Sequence, residues 1–208
     1  FPLADFRATA SDVIGGPAAS SILQLGSPYG YAPLRRYLLD EARREGVARD
    51  SDDILITNGC QQALDLLHRT LCPNGEICVV EDPVYPGLRS VLSSGANRDR
   101  AVGVPVTTQG IDLRRLEHAL AEHRPRLVFL TPNFQNPTGA TMPLAARESA
   151  LNSCRQAGAV VVEIDIYRDL RYRHESLDAL KKLDRTSDVV IIRSFSKLAF
   201  PGLRVGWI

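Results

Sequence analysis

The feature that most limits the folds open to this chain is the alternation of short apolar runs with segments of helical periodicity. The apolar runs, rich in β-branched residues, predict strands at 54–57, 76–80, 101–105, 127–130, 159–166 and 188–193, with another starting at Arg204. Apolar residues at helical spacing predict helices at 34–45, 61–71, 88–94, 113–122 and 143–157. This alternation is typical of an α/β protein with a mainly parallel sheet flanked by helices. Residues 1–24 are weakly patterned, and Gly15-Gly16-Pro17 predicts that no regular element forms there.

Composition sets limits on the class of protein. The chain has 208 residues, of which 44% are hydrophobic and 24% charged, so it has enough apolar material for a sizeable core. A formal net charge of +1 gives no indication of a nucleic-acid partner, and no apolar run approaches the length of a membrane span. The cysteines and histidines are scattered without metal-ligand spacing, which predicts reduced thiols, a cytoplasmic location and no metal.

The last fifteen residues carry the strongest chemical signal. Lys197 follows the strand predicted at 188–193, with hydroxyls at Ser194 and Ser196 and a guanidinium at Arg204. A lysine just past a strand end, beside groups that hold an anion, suits an amine that condenses with a phosphate-bearing aldehyde cofactor. The same residues also fit a solvated loop lysine between turn serines, and the short Ser-x-Ser-Lys motif does not decide between the two interpretations.

A second anion site is predicted where Asn58, Gly59 and Cys60 join a strand to a helix. At such a turn the free backbone N–H groups of Gly59, Cys60 and Gln61, together with the positive end of the helix dipole, point at one place. Many α/β loops of this kind bind nothing. However, further candidate residues also follow strand ends, which is where open α/β sheets bind ligands: Tyr85, Asn136, Asp165 and Lys197.

Four segments together carry a family resemblance. They are Ser194-Phe-Ser-Lys-Leu-Ala-Phe-Pro-Gly-Leu-Arg-Val-Gly, Thr57-Asn-Gly-Cys-Gln-Gln-Ala, Asn136-Pro-Thr-Gly and the acidic strand end through Tyr172. The chain resembles the fold-type I pyridoxal-phosphate enzymes of aminotransferase class I/II, in the branch of the 2-aminoadipate aminotransferases and MocR-like regulators. The resemblance implies an N-terminal arm and lead-in segment at 1–30 and a cofactor-binding large domain at 31–208. It also implies that a C-terminal small domain lies outside the chain, so we expect the chain to be part of a longer protein.

The resemblance also implies roles for the site residues. Lys197 would form a Schiff base with the cofactor aldehyde and move a proton as general base and acid, and Tyr85 would stack on the ring. The cofactor phosphate would be held by hydroxyls, a guanidinium and backbone amides from Ser194, Ser196, Arg204, Gly59, Cys60 and Gln61. Asn136 and Tyr167 would meet the phenolate oxygen, and Asp165 the pyridine nitrogen.

The acid of this set departs from the family pattern. Relatives place it three residues before the tyrosine that matches Tyr167, and that position here is Ile164. Asp165 lies one step later, and one step along a strand reverses the direction of a side chain. Either an irregular strand end lets Asp165 reach the nitrogen, or the nitrogen lacks its acid. We favour Asp165, because a charged residue is otherwise hard to place at the end of so apolar a strand.

The resemblance leaves more than one function open. The first hypothesis is a pyridoxal-phosphate-dependent aminotransferase that transfers an amino group between an amino acid and a 2-oxo acid, active as a homodimer in the cytoplasm. The second is the effector-binding domain of a MocR/GntR-type transcription regulator, in which an upstream domain would contact DNA. A related lyase or decarboxylase remains a third, since fold and cofactor do not fix the reaction.

Overall fold

The computed structural model describes residues 2–94, 100–173, 175–186 and 188–208. The helices are α1 (Leu3–Gly15), α2 (Ala19–Ile22), α3 (Ala32–Arg44), α4 (Gly59–Leu71), α5 (Pro86–Ser93), α6 (Leu113–His123), α7 (Leu144–Ala157) and α8 (Leu180–Leu183). The strands are β1 (Ile56–Thr57), β2 (Cys78–Asp82), β3 (Ala101–Thr107), β4 (Gly110–Ile111), β5 (Leu127–Leu130), β6 (Val160–Ile164), β7 (Val189–Ser194) and β8 (Gly206–Trp207). Within the described ranges, no helix has both the length and the apolar character needed to cross a membrane.

The strands form one sheet in the order β1-β8-β7-β6-β5-β2-β3-β4. Strands β3, β2, β5, β6 and β7 run parallel, and antiparallel pairs lie only at the two edges. The parallel strands therefore end at one common edge, where the loops that follow them meet. The prediction of a mainly parallel sheet is confirmed.

Helices cover both faces of this sheet, as its strongly apolar strands require. On one face, Ala63 and Leu64 of α4 pack with Val162 and Ile164 of β6. On the other face, Ala150 of α7 and the helices α6 and α8 pack against side chains such as Val128 and Val161. Because side chains alternate along a strand, neighbouring residues of β6 belong to opposite faces.

The prediction for the N-terminal segment was wrong. Residues Leu3–Gly15 form a full α-helix, and Gly15-Gly16-Pro17 ends that helix without preventing it. Apolar residues do recur at helical spacing here, at Leu3, Phe6, Ala10 and Val13, but the helix buries none of its residues. The error lies in extending the breaking effect of the glycines and proline back over this segment.

Strand β8 and the start of α4 pack backbone against backbone. A Cβ placed on Gly206 would lie 2.8 Å from the Cα and carbonyl carbon of Gly59 and 3.1 Å from the nitrogen of Cys60. Only a glycine at 206 allows this approach, which brings the segment after Lys197 against the first turn of α4.

We therefore expect Gly206→Ala to lower the free energy of unfolding by about 1–3 kcal/mol, the usual cost of overpacking. Gly202→Ala is the matched control, because a Cβ there meets no atom within 4 Å. It should change stability by less than about 0.5 kcal/mol. Chemical denaturation of the two variants beside wild type measures the difference, and equal midpoints would contradict the packing described.

Candidate active site

The N-terminus of α4 lies under the guanidinium of Arg204. Gly59 begins the helix with φ +75°, and a Cβ on it would meet the guanidinium at 2.7–3.3 Å, so the absence of a side chain lets Arg204 lie flat there. Arg204 NH2 also donates to the carbonyl of Asn58 at 3.3 Å. The Asn58 side chain does not cap the helix. A cation and the positive end of α4 thus lie side by side, which is an arrangement that attracts an anion.

Hydroxyl groups lie at the end of β7, close to this point. The Oγ of Ser194 donates to the carbonyl of Val205 at 2.9 Å and accepts from the backbone nitrogen of Ser196 at 3.1 Å. The two serine hydroxyls are 2.9 Å apart. These bonds fix the one-turn 3₁₀ segment Phe195–Lys197 against Val205, the residue before β8, so Lys197 leaves the sheet in a defined direction.

Cys60 lies near two cations of the site, Arg204 and Lys197. Burial raises the pKa of its thiol to about 12, while the positive charges of Arg204 and Lys197 act in the opposite direction. Lys197 and Arg204 are thus both close enough to Cys60 for their charges to act on its thiol. The chain has three lysines, and Lys181 and Lys182 pair with Asp52 and Asp178 at 3.5 and 2.7 Å. Among the described residues, Lys197 has no acidic partner within 4 Å.

Tyr85 and Gln61 meet over Gly87. A Cβ on Gly87 would lie 2.3 Å from the Tyr85 ring and 2.4 Å from the Gln61 amide oxygen, so both side chains pack directly on the bare backbone. The Gln61 amide donates to the carbonyl of Gly87 at 2.8 Å. Tyr85 packs against the same apolar cluster as Cys60. A flat aromatic ring thus borders the first turn of α4.

Asn136 and Tyr167 form a polar pair at the edge of the site. The Asn136 amide donates to the phenol oxygen of Tyr167 at 3.0 Å. Burial raises the pKa of the Tyr167 phenol, and the nearby Tyr85 and Cys60 act in the same direction. Both groups are neutral donors near neutral pH, which suits the stabilisation of an oxyanion on a ligand.

The Asp165 side chain belongs to a different polar network from the pair formed by Asn136 and Tyr167. Its fully buried carboxylate accepts from the Asn133 amide at 3.0 Å and from Arg193 Nε at 3.2 Å. Arg193 in turn pairs with Glu45 at 2.8 Å. Ile164, one residue earlier, packs in the cluster that contains Cys60 and Tyr85.

Two buried polar residues near the site were missed in the sequence. Gln135 accepts from the backbone nitrogen of Thr138 at 3.1 Å and from its hydroxyl, and its amide donates to the carbonyl of Pro83 at 2.8 Å. It therefore ties the turn that carries Asn136 to the loop that carries Tyr85. Glu81, at the end of β2, accepts from the backbone nitrogen of Thr131 at 3.0 Å. For Glu81, a charged residue directly after an apolar run was the available signal, whereas Gln135 lies in a polar loop and gave none.

Glu81 should make the stability of the protein depend on pH. Burial raises its pKa to about 7, so the folded chain holds this proton more tightly than the unfolded chain does. The contribution of Glu81 to stability is then full below pH 4.5, declines as the pH rises, and is lost above about pH 7.

We expect Glu81→Gln to stabilise the protein relative to wild type by about 1–3 kcal/mol more at pH 8 than at pH 5. Glu163, whose pKa is raised by burial and by the nearby Asp165, keeps its own pH dependence in both proteins. The exposed Glu148→Gln serves as control and should show no such difference. Denaturation curves at the two pH values measure the effect, and a pH-independent shift for Glu81→Gln would be incompatible with it.

Together these groups suit a flat, anionic molecule. A cation, two hydroxyls and the start of a helix can hold an anionic group, a tyrosine ring borders the same space, and Lys197 supplies an amine close by. Such a site can position a nucleophilic amine and a proton acceptor against a bound aromatic ligand.

Comparisons with known proteins agree with this chemistry. Residues 12–208 match the family model described as aminotransferase class I and II. The 2-aminoadipate transaminase of Thermus thermophilus is 38% identical over 188 residues, which cover 89% of this chain and 46% of that protein. The probable rhizopine catabolism regulatory protein MocR of Rhizobium meliloti is 35% identical over 88% of this chain and 35% of that protein.

A solved structure extends the likeness to three dimensions. The α-aminoadipate aminotransferase from Thermus thermophilus, complexed with N-(5'-phosphopyridoxyl)-L-leucine, superposes with a TM-score of 0.89 at 36% identity. The match covers 100% of this chain and 52% of that one. The chain thus spans about half the length of this structure and less than half that of the two curated relatives.

Proposed function

The chain belongs to the class I and II aminotransferase family, and on that premise we propose that the whole protein is a pyridoxal-phosphate-dependent aminotransferase. It would transfer an amino group between an amino acid and a 2-oxo acid. The observation that carries the proposal is the contact of the Arg204 guanidinium with the bare Gly59 at the first turn of α4, together with the hydrogen bond that ties the segment Phe195–Lys197 to Val205, the neighbour of Arg204. A lysine amine without an acidic partner among the described residues, beside an anion site, is what an aldehyde cofactor with a phosphate group requires.

The residues present fit that cofactor at its phosphate, ring face and phenol oxygen. The guanidinium of Arg204 over the bare Gly59 offers charge-assisted hydrogen bonds to a phosphate, and Ser194 and Ser196 add hydroxyls. Asn136 and Tyr167 are neutral donors that would meet the phenol oxygen, and Tyr85 would cover the ring. Cys60 contributes its backbone nitrogen, because its thiol stays protonated at neutral pH.

Once bound, pyridoxal phosphate supplies a conjugated ring that accepts electron density from the α-carbon of the substrate. The work of the chain is to hold the cofactor and to move protons. Lys197 would hold the cofactor through its amine, release it to the substrate amine, and then carry the proton from the α-carbon. The 3₁₀ segment Phe195–Lys197, fixed by Ser194, gives that amine a defined direction from which it would reach the cofactor. Asn136 and Tyr167 would donate hydrogen bonds to the phenol oxygen of the cofactor.

The phosphate assignment gives a binding prediction. Arg204→Ala should raise the dissociation constant for pyridoxal phosphate about 10- to 100-fold, because it removes charge-assisted hydrogen bonds worth about 1.5–3 kcal/mol. Arg114→Ala, which changes an exposed arginine on α6, should leave the constant unchanged. Fluorescence titration of the apoprotein with pyridoxal phosphate measures both values. Equal affinities in the two variants would place the phosphate elsewhere.

Turnover tests the proposed activity. The full-length protein, reconstituted with pyridoxal phosphate, should convert 2-oxoglutarate to glutamate in the presence of an amino acid donor, with 2-aminoadipate and aromatic amino acids as the first to assay. A cofactor-loaded protein that turns over none of a full set of amino acids would refute the aminotransferase and favour the regulator. Likeness to MocR is the observation behind that second candidate. A DNA-binding domain encoded upstream of residue 1 would support it directly.

We also propose that the protein is a homodimer. DNA would be a partner only if the protein is a MocR-like regulator. The N-terminal segment supports a covering partner, since Leu3, Ile14, Leu23 and Leu25 expose 57%, 62%, 70% and 102% of their surface.

A cytoplasmic location is proposed from the thiols. The four cysteines, Cys60, Cys72, Cys78 and Cys154, are scattered through the sequence without the spacing of a disulfide framework or a metal site. This pattern is typical of a protein from a reducing compartment.

A further inference from the structure

Near its end, strand β6 has an apolar side chain on one face and polar side chains on the other. Val162 and Ile164 point toward α4 and pack with Ala63 and Leu64. Val161 and Glu163 point the other way, and the Glu163 carboxylate accepts from the backbone nitrogens of Leu180 and Lys181 at 2.9 and 2.8 Å. The α4 face is the one on which Cys60, Tyr85 and the cations of the site lie.

Asp165 continues the polar face past the end of the strand. Each of its oxygens is engaged, one by the Asn133 amide and one by Arg193. Asn133 is itself bound to Arg147 of α7 at 2.7 Å, which places this network on the side of the sheet opposite α4. The ion pair with Arg193 and the hydrogen bond from the Asn133 amide therefore satisfy the buried Asp165 carboxylate. No ligand is needed to explain its burial.

The polar groups on the α4 face do not replace a carboxylate. Burial raises the pKa of the Cys60 thiol to about 12 and raises the pKa of the Tyr167 phenol as well. Neither group carries a negative charge near neutral pH. Ile164 is 5% exposed and offers only an aliphatic surface.

We propose that Ile164, and not a carboxylate, meets the ring nitrogen of pyridoxal phosphate, so that this nitrogen stays unprotonated in the bound cofactor. The inference rests on the proposed function and refines it. Burial without a counter-charge disfavours the charged form of a titratable group, and the nitrogen has no anion from β6 to pair with. An unprotonated ring withdraws less electron density from the α-carbon of the substrate. Proton removal by Lys197 is then slower than in a site with an acid at this position.

The test is the ¹⁵N NMR spectrum of the full-length protein loaded with pyridoxal phosphate labelled at the ring nitrogen. In wild type we expect the free-base chemical shift, unchanged across the neutral pH range. Asp165→Asn should leave that shift in place, although it loosens the network with Arg193. Ile164→Asp should move the resonance to the pyridinium range and, in a separate readout, speed deuterium exchange at the α-carbon of a bound amino acid.

The possible outcomes distinguish a failure of the Ile164 assignment from a failure of the proposed function. A pyridinium shift in wild type, whether or not Asp165→Asn abolishes it, overturns the assignment of Ile164 while leaving the cofactor site intact. A protein that takes up no pyridoxal phosphate overturns the proposed function, and the inference with it. If Ile164→Asp fails to fold, the wild-type and Asp165→Asn spectra still decide, because neither protein places a charge on the apolar face.

Discussion

Replacing Lys197 with alanine is expected to remove the visible absorption that comes from the bond between lysine and cofactor, and to lower amino-transfer turnover by at least about 10²- to 10⁴-fold. That range is what a positioned proton-transfer group contributes, and Lys197 also holds the cofactor. The reason is structural. The amine leaves the sheet beside Arg204 and Cys60 with no acidic side chain to pair with among the described residues, so no neighbour takes over its role.

Lys182→Ala is the matched control for this prediction. Lys182 pairs with Asp178 at 2.7 Å on the surface of α8, a contact worth at most about 1 kcal/mol. The absorption spectrum and turnover of this variant should equal those of wild type. Absorption that persists in Lys197→Ala, or that is lost equally in Lys182→Ala, would remove Lys197 from the site.

The second large effect is expected at Arg147. This arginine is fully buried on α7 and donates to the carbonyls of Met142, Pro132 and Asp178 at 2.8–3.0 Å and to Asn133 at 2.7 Å. Arg147→Met should lower the free energy of unfolding by about 3–5 kcal/mol, because it leaves those acceptors without a donor and removes a positive charge near Glu163 and Asp165.

The loop held by Arg147 runs through residues 132–142 and carries Asn136, so the variant should also bind pyridoxal phosphate more weakly. Arg155→Met is the control on the same helix, since Arg155 is exposed and contacts only the side chain of Asn152 among the described residues. Its effect should stay within about 0.5 kcal/mol. Denaturation curves and cofactor titrations of both variants measure the two effects. Comparable losses of stability in the two variants would mean that the buried hydrogen bonds of Arg147 do not stabilise the fold.

Much of the fold was predictable from periodicity. The strand expected at 127–130 appears as Leu127–Leu130, and the helix expected at 113–122 appears as Leu113–His123. Both lie in the middle of the sheet or directly on it, where burial on a fixed face imposes a clear pattern. Helix α1 was missed because the breaking effect of Gly15-Gly16-Pro17 was extended over the whole N-terminal segment. The strand expected at 54–57 shortens to Ile56–Thr57 at the sheet edge, where pairing with β8 sets its length.

The sequence predicts the site residues whose position depends on where a strand ends. It does not predict those whose role depends on the direction of a side chain. Lys197, Tyr85 and Asn136 follow parallel strands that end at one edge of the sheet, and Arg204 precedes the antiparallel strand β8, which begins at the same edge. Topology therefore places all of them at that edge. The partners of Asp165 cannot be derived from topology in this way. Arg193, a charge at the end of an apolar run, was visible in the sequence, but its pairing with Asp165 and Glu45 depends on how β6 and β7 lie in register. The sequence alone therefore left open whether Asp165 or no acid serves the ring nitrogen.

The most direct measurement for the central claim is peptide mass mapping after the full-length, cofactor-loaded protein is reduced with borohydride. Reduction makes the bond between lysine and cofactor permanent, so the added mass marks the attachment site. We expect the added phosphopyridoxyl mass on the peptide that contains Lys197. A modification found on Lys181, on Lys182 or on a lysine outside residues 1–208, with Lys197 unmodified, would contradict the assignment of this site.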